Sequence, residues 1–163
     1  MMNQEPVFRE RGIFKIVGIE RYTANGIPDI REAWAEFSKR SGEIRHAIKP
    51  GVFGIEDYSR DFDMNEGGFP KYYYTAGFEV NEITHIPAGM KSKEIPAANY
   101  AVFTYEGPVS GIHEFFGFIY GEWMPKSGFS MDPKLSLDFE HYSEPNMDMD
   151  HVHLEIWVPI VKG

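Results

Sequence analysis

The order of the predicted elements repeats once along this 163-residue chain, and that duplication limits the folds it can adopt. Each copy reads as strand, helix, strand, strand, with the first copy at about 12–80 and the second at about 95–161. One helix per copy cannot cover both faces of a shared sheet. We therefore expect a single α+β domain over 1–163, with a curved antiparallel sheet, two helices on one side and a ligand cleft on the other.

The individual elements follow from local patterns of apolar residues. Strands are predicted at 12–23, 52–58, 71–80, 99–105, 135–142 and 152–160, and helices from Asp29 to about Gly42 and from Val109 to Trp123. Met124-Pro125 is expected to close the second helix, because proline cannot continue a helix and disfavours helical geometry in the residue before it.

Two matching pentapeptides support the duplication. Gly54-Ile-Glu-Asp-Tyr58 resembles Asp138-Phe-Glu-His-Tyr142, and each comes before a polar loop and a final strand. With loops that differ by about four residues, three positions of the copies align: Tyr73, Thr75 and Gly77 with His153, Glu155 and Trp157.

The last predicted strand has two different faces. Alternation places the apolar residues on one face, which we expect to pack on helices: Val152, Leu154, Ile156, Val158 and Ile160. The other face carries His151, His153, Glu155 and Trp157. A carboxylate partly removed from water is costly unless a cation, a donor or a proton compensates it. Glu155 is therefore expected to hold a cationic ligand or to act as a general acid or base, unless it simply faces solvent.

Aromatic residues make up 15% of the chain, and aromatic walls are typical of ligand pockets. Trp157 shares the Glu155 face, which favours ligand stacking, and an exposed or edge-packed indole is the alternative. Trp123 lies on the apolar stripe of the second helix, so core packing is its alternative role. Alternation places Tyr73 on the open side with Glu155, and its neighbours Tyr72 and Tyr74 toward the core.

Charge and composition exclude several classes of function. The net charge of −9 and the absence of a basic run argue against a nucleic-acid partner. No cysteine is present, and neither a nucleotide-binding glycine motif nor a Gly-x-Ser-x-Gly elbow occurs, so no cofactor is expected. No 18-residue apolar run or secretory leader occurs, which favours a cytoplasmic protein without a membrane partner. The oligomeric state is left open.

The histidines raise the alternative of a metal site. The residues that could supply ligands are His141, His151 and His153 with Asp148, Asp150 or Glu155. Because a spacing such as His-Glu-x-x-His is absent, no metal site is predicted.

Four segments, in order, resemble the GyrI-like small-molecule-binding family, which also forms the effector-binding domain of AraC-type and multidrug-responding transcription regulators. They are Tyr-Ala-Val-Phe-Thr-Tyr-Glu-Gly-Pro at 100–108, Glu-Trp-Met-Pro-Lys-Ser-Gly-Phe at 122–129, Phe-Glu-His-Tyr at 139–142 and Glu-Ile-Trp-Val-Pro-Ile at 155–160. The leader is short and polar, so a stand-alone member without a helix-turn-helix segment is expected.

The resemblance implies a concave sheet surface that binds hydrophobic, often cationic, molecules. The family's buried glutamate falls on Glu155, its next ligand-face residue falls on Trp157, and an aromatic of the preceding strand falls on Phe139 or Tyr142. The full candidate ligand-binding set is Glu155, Trp157, Trp123, Tyr73, Phe139, Tyr142 and His153.

The leading hypothesis is binding of hydrophobic or aromatic xenobiotics, including cations, in an aromatic pocket with one buried carboxylate, Glu155. The resemblance also implies an alternative: a hydrolase that detoxifies cyclopropyl-containing DNA-alkylating compounds, with Glu155 as the catalytic residue that activates water in an aromatic cage. A second alternative is a protein–protein modulator of the gyrase-inhibitor type, in which the acidic surface is the working part.

Overall fold

A computed structural model describes residues 4–144 and 150–163, which form an antiparallel sheet of nine strands with its helices on one face. The strands are β1 (Val7–Arg11), β2 (Phe14–Tyr22), β3 (Val52–Asp57), β4 (Tyr73–Val80), β5 (Lys91–Ile95), β6 (Ala98–Gly107), β7 (Phe129–Met131), β8 (Leu137–Tyr142) and β9 (Val152–Lys162). Helix α1 spans Ile27–Arg40, and the second helical segment comprises α2 (Ile112–Phe118), a π-helical turn (Ile119–Trp123) and α3 (Met124–Ser127). The predicted α+β fold class is confirmed.

Two three-stranded units lie side by side in the sheet. Its strand order is β1-β6-β9-β8-β3-β4-β2-β5, with β7 paired to β9 beside this path. One unit has the order β6-β9-β8 and the other β3-β4-β2, and the two meet where β3 pairs with β8. Since β6, β9 and β8 correspond to β2, β4 and β3, the second unit repeats the first in reverse order. Ile55 faces Phe139 in the middle of that junction. This arrangement is expected for two copies related by an approximate twofold axis.

The strand register corrects the alignment of the two copies. Ile55 pairs with Thr75, and Phe139 pairs with Trp157. Since Ile55 and Phe139 are equivalent in the matching pentapeptides, Thr75 corresponds to Trp157 and not to Glu155. The predicted alignment is therefore wrong by two residues. Because a shift of two keeps the side-chain alternation, it leaves every residue on its predicted face.

Three short strands, β1, β5 and β7, were not predicted from the sequence. β1 and β5 end the strand path, and β1 lies within the region read as a polar leader. Four of the five β1 residues are exposed, and β5 reads Lys-Ser-Lys-Glu-Ile. Short, charged edge strands of this kind limit pairing with other chains, and they lack the apolar alternation that identifies a strand in a sequence.

The second helical segment does not end at Met124-Pro125, so that prediction is wrong. It continues to Ser127, where Gly128 follows with φ of +81°. The π-helical turn immediately before it lets Pro125 lie at the start of a new turn, where a missing backbone N–H is tolerated.

Buried side chains lie on both faces of the sheet. One cluster packs under α1 and a second under the α2 segment. A third cluster lies on the open face without any helix residue: Phe14, Ile16, Phe53, Ile55, Ile95, Tyr100, Val102, Leu135, Leu137, Phe139 and Trp157. The open face is thus sealed largely by its own aromatic side chains. Within the described ranges, no helix has the length and apolar character needed to cross a membrane.

Candidate functional site

The seven predicted site residues divide between the two faces of the sheet, so they do not form one site. Those on the open face are Tyr73, Phe139, His153, Glu155 and Trp157. Trp123 and Tyr142 lie on the helix face. Trp123 packs with its ring edge-on to Phe103 and stacked on Phe129, which is core packing.

Glu155 is not the buried carboxylate that was predicted. Its side chain is 37% exposed, and its Oε1 accepts a hydrogen bond of 3.1 Å from Trp157 Nε1. His141 Nδ1 lies 3.5 Å from the same oxygen. The physical reason is position: Glu155 is on the sheet face that no helix covers, and its indole neighbour lies beside it rather than over it.

The side chain of Arg11 places a positive charge on the aromatic rings of the open face. The Arg11 guanidinium lies 3.9 Å from the centre of the Phe14 ring and 5.5 Å from that of Phe53. Arg11 Nη2 also lies 2.6 Å from Glu79 Oε1. A cationic ligand on these rings would have to displace this arginine, which is held by both aromatic faces and a carboxylate.

A polar depression elsewhere on the open face also holds balanced charges. Lys93 Nζ and Arg60 Nη2 lie 2.8 and 2.7 Å from the same oxygen of Glu20. Both cations also approach Asp57 Oδ2, at 3.5 and 3.3 Å. Burial alone would raise the pKa of Glu20, but the hydrogen bonds and charges of Lys93 and Arg60 hold that pKa below its ordinary value. These groups satisfy one another and do not require a ligand.

The helix face presents the opposite situation, because three carboxyl groups are buried together there. Glu56 of β3 is 3% exposed, and Asp138 and Glu140 of β8 are 0% and 5% exposed. Glu56 pairs across the strands with Asp138, next to Gly54 paired with Glu140. No lysine, arginine or histidine of residues 4–144 and 150–163 forms an ion pair with any of the three. We call Glu56, Asp138 and Glu140 the acid cluster.

Tyrosine hydroxyls surround the acid cluster and donate to two of its members. Asp138 Oδ2 accepts hydrogen bonds from the hydroxyls of Tyr58 at 2.7 Å and Tyr120 at 2.5 Å. Glu140 Oε1 accepts from Tyr74 at 2.9 Å and Tyr142 at 3.1 Å. Glu56 Oε1 and Asp138 Oδ1 have no hydrogen-bond partner within the described residues.

Burial sets the protonation of the acid cluster. It raises the pKa of Glu56 well above the ordinary glutamate value, and the nearby charges of Glu140 and Asp138 raise it further. Burial likewise raises the pKa values of Asp138 and Glu140, although hydrogen bonds from their neighbours oppose it. The pKa of each of Tyr58, Tyr74, Tyr120 and Tyr142 is raised by burial and by the carboxyl groups, so the four phenols stay donors at neutral pH.

The model of the Cass2 family, described as integron-associated effector binding protein, matches residues 9–160. The chain belongs to this family. It is a GyrI-like effector-binding domain, as the sequence motifs indicated.

A curated relative and three solved structures resemble this Cass2-family chain. The chain is 33% identical over 158 residues to the transcriptional regulator BrlR of Pseudomonas aeruginosa, which covers 93% of the chain and 53% of BrlR. The chain thus spans about half the length of that relative.

The structural likenesses show the fold. The C-terminal domain of EcmrR is 11% identical, with a TM-score of 0.74 and coverage of 99% of this chain and 100% of that one. SAV2435 bound to tetraphenylphosphonium is 17% identical, with a TM-score of 0.69 and coverage of 97% and 94%. An integron cassette protein from the mobile metagenome of Vibrio cholerae is 12% identical, with a TM-score of 0.68 and coverage of 97% of both chains.

In this Cass2-family chain, both helical segments and one loop enclose the acid cluster. Trp34 of α1 donates its Nε1–H to the Tyr74 hydroxyl at 2.8 Å, while Tyr120 comes from the π-helical turn. The loop between β3 and β4 runs over the same side, where its Phe69 stacks on His113 of α2 and its Phe62 packs edge-on to Tyr58. This loop is the part of the enclosure that belongs to neither a helix nor a strand.

Gly54 leaves the space that the acid cluster needs. A Cβ at this position would lie 2.1 Å from the Tyr74 hydroxyl and 2.8 Å from Glu140 Oε1. A side chain at position 54 would therefore displace the very groups that form the hydrogen bond between Tyr74 and Glu140.

The acid cluster was missed in the sequence, although a signal for it was present. Glu56 and Glu140 occupy equivalent positions of the matching pentapeptides, each two residues before a tyrosine, Tyr58 and Tyr142. Alternation places both glutamates on the face opposite Ile55 and Phe139. A duplicated glutamate on the helix-covered face was the available indication of a paired buried acid.

The structure offers no metal centre in the described ranges. No group of three or more histidine, aspartate or glutamate side chains there is placed to hold a metal ion. Asp148, one of the ligands considered, lies outside the described residues.

Proposed function

We propose that this Cass2-family domain binds lipophilic organic cations and holds their positive charge at the acid cluster. The observation that carries the proposal is the burial of Glu56, Asp138 and Glu140 together, without a cationic partner in the described part of the chain. Burying carboxyl groups is costly unless a charge or a proton compensates them. A bound cation would supply that compensation, whereas an apolar core at this place would not need it.

The surroundings of the acid cluster suit an aromatic or hydrophobic cation. Tyr74, Tyr142 and Trp34 meet edge to face, with ring centres 6.3 Å apart for Trp34–Tyr74 and 5.5 Å apart for Trp34–Tyr142. Aromatic faces attract cations and offer apolar contact area at the same time. We place the entrance at the β3–β4 loop, where movement of Phe62 and Phe69 would expose the cluster without breaking a strand pair.

The fold likeness to SAV2435 supports the class of ligand. That protein, 17% identical to this chain, is bound to tetraphenylphosphonium, a cation carrying four phenyl groups. The alternative hydrolase, with Glu155 activating water, stays a prediction: no feature of the half-exposed Glu155 favours turnover over binding.

Titration calorimetry with tetraphenylphosphonium tests the proposal. Glu140→Gln keeps an oxygen that can accept from Tyr74 and Tyr142 but removes the charge, so we expect affinity to fall by about tenfold or more, equivalent to about 1.4 kcal/mol. Glu155→Gln is the matched control on the open face and should bind as wild type does. The reverse result, with affinity lost in Glu155→Gln and kept in Glu140→Gln, would move the site to the open face. Absence of binding by wild type would reject the proposal for this class of cation.

A further inference from the structure

We infer that the acid cluster exchanges a proton for the bound cation: Glu56 holds a proton in the empty site and releases it to solvent when an organic cation enters. This inference rests on the proposed function for the identity of the ligand. It makes the affinity of the domain dependent on pH, a property that neither the fold nor the family assignment supplies.

The hydrogen-bond donors around the acid cluster indicate which of its carboxyl groups carries a proton. Each tyrosine hydroxyl has one proton to donate, and four of them are directed to Asp138 and Glu140. Glu56 pairs across the strands with Asp138 and lies close to the carboxyl of Glu140, while Glu56 Oε1 and Asp138 Oδ1 are buried without a hydrogen-bond partner in the described residues. Neighbouring ionised carboxylates repel each other and have no proton to share, whereas a protonated carboxyl can donate to the next one. At least one carboxyl of the cluster is therefore protonated, and Glu56 is the member toward which none of those four phenol protons is directed.

In the described part of the chain, the groups around Glu56 are acidic or neutral. They come from several elements: Asp138, Glu140 and Tyr142 from β8, Tyr72 and Tyr74 from the β4 region, Tyr58 after β3, Tyr120 from the π-helical turn, and Trp34 from α1 by way of Tyr74. A bound cation would be the first positive charge among them. It would favour the ionised form of Glu56, because an opposite charge at close range stabilises a carboxylate.

The exchange balances in charge. One positive charge enters with the ligand, and one leaves as the proton from the Glu56 carboxyl, which the buffer accepts. The net charge of the buried site is therefore the same before and after binding, so the electrostatic cost of the empty and occupied states stays similar. Release of one proton requires that affinity rise with pH, by up to about tenfold per pH unit.

Calorimetry in paired buffers measures this proton directly. Tetraphenylphosphonium is titrated into wild type at several pH values, each in two buffers that differ in ionisation enthalpy. The difference in binding heat between the two buffers gives the number of protons released. We expect a value approaching one for wild type with affinity that rises with pH, and a value near zero with pH-independent affinity for Glu56→Gln, whose amide can still donate to Asp138 or Glu140. Glu155→Gln should release protons as wild type does.

The outcomes separate the inference from the proposed function. Binding by wild type without proton release would overturn the exchange and leave the cation site standing. Absence of binding at every pH would reject both. Infrared spectra of the ligand-free protein add a separate check: a protonated carboxyl band should be present at neutral pH in wild type and in Glu155→Gln, and reduced in Glu56→Gln. Wild type without that band would overturn the inference even if the cation binds.

Discussion

Replacing Phe139 by alanine is expected to lower the free energy of unfolding by about 3–5 kcal/mol, the usual cost of truncating a fully buried phenylalanine. Phe139 is 0% exposed and lies at the junction of the two copies. Its ring is stacked on Trp157 at 5.5 Å and meets the rings of Phe14 and Tyr100, each at 5.4 Å. The cavity would lie on the open face of the sheet, where no helix is present that could move in to fill it. Urea unfolding followed by fluorescence measures the loss.

The control for Phe139→Ala is Phe8→Ala on edge strand β1. Phe8 is 54% exposed, although its ring lies 5.5 Å from that of Phe129. We expect its loss to be about 1 kcal/mol. An equal loss in the two variants would contradict the view that the open-face cluster is a structural core. If folded Phe139→Ala failed to bind tetraphenylphosphonium, the open face rather than the acid cluster would be the ligand site.

The architecture could be predicted because its signals are local. Alternation in 152–160 assigned Leu154 and Ile156 to the helix-packed face, and both are buried there. The repeated element order then required both helices to share one face, and the structure has them so. Periodicity is fixed by backbone geometry, and it therefore survives without knowledge of the tertiary neighbours.

The candidate site was harder to predict, because burial depends on what covers a strand. Glu140 and Glu155 both lie on central strands with aromatic neighbours, and alternation gives only the face of each. Glu140 is covered on the helix face by Tyr142 and by Tyr74, to which Trp34 of α1 donates. Glu155 lies on the face without helices and remains 37% exposed. The prediction assumed that the open face was the ligand face. In the structure, Arg11 from the edge strand β1, which was not predicted, already stacks on the aromatic rings of that face.

The π-helical turn shows a second limit of pattern reading. The sequence pattern predicted a helix that ends near Pro125, but it did not reveal the extra residue in the π-helical turn. One added residue shifts the apolar stripe too little to be told apart from the stripe of a regular α-helix. The turn brings Tyr120 to Asp138, so the irregular geometry contributes a donor to the site. π-helical turns of this kind are frequent at functional sites.

The free energy of unfolding of wild type is expected to fall as pH rises above about 5, because Glu56 is protonated in the folded state. Glu56→Gln should not show this part of the decrease. The pKa of Glu56 is raised in the folded protein above its unfolded value of about 4.5, so the folded state binds the proton more tightly. The stability that this proton contributes is fully present below the unfolded pKa and is lost as pH rises toward the folded pKa. Over that window, each pH unit lowers the free energy of unfolding by about 1.4 kcal/mol.

Glu56→Gln cannot titrate, so its curve lacks this contribution. The difference in unfolding free energy between Glu56→Gln and wild type should therefore grow with pH from about 5 upward, by about 1.4 kcal/mol per unit while Glu56 remains protonated in the folded state. The pKa values of Glu20 and Asp57 are lowered, so the stability they contribute is lost only as pH falls through acid values, outside this window. Denaturant titrations at pH 5, 6, 7 and 8 measure the difference. Parallel curves would mean that Glu56 is ionised in the folded protein, and Glu56 would then have no proton to exchange for a cation.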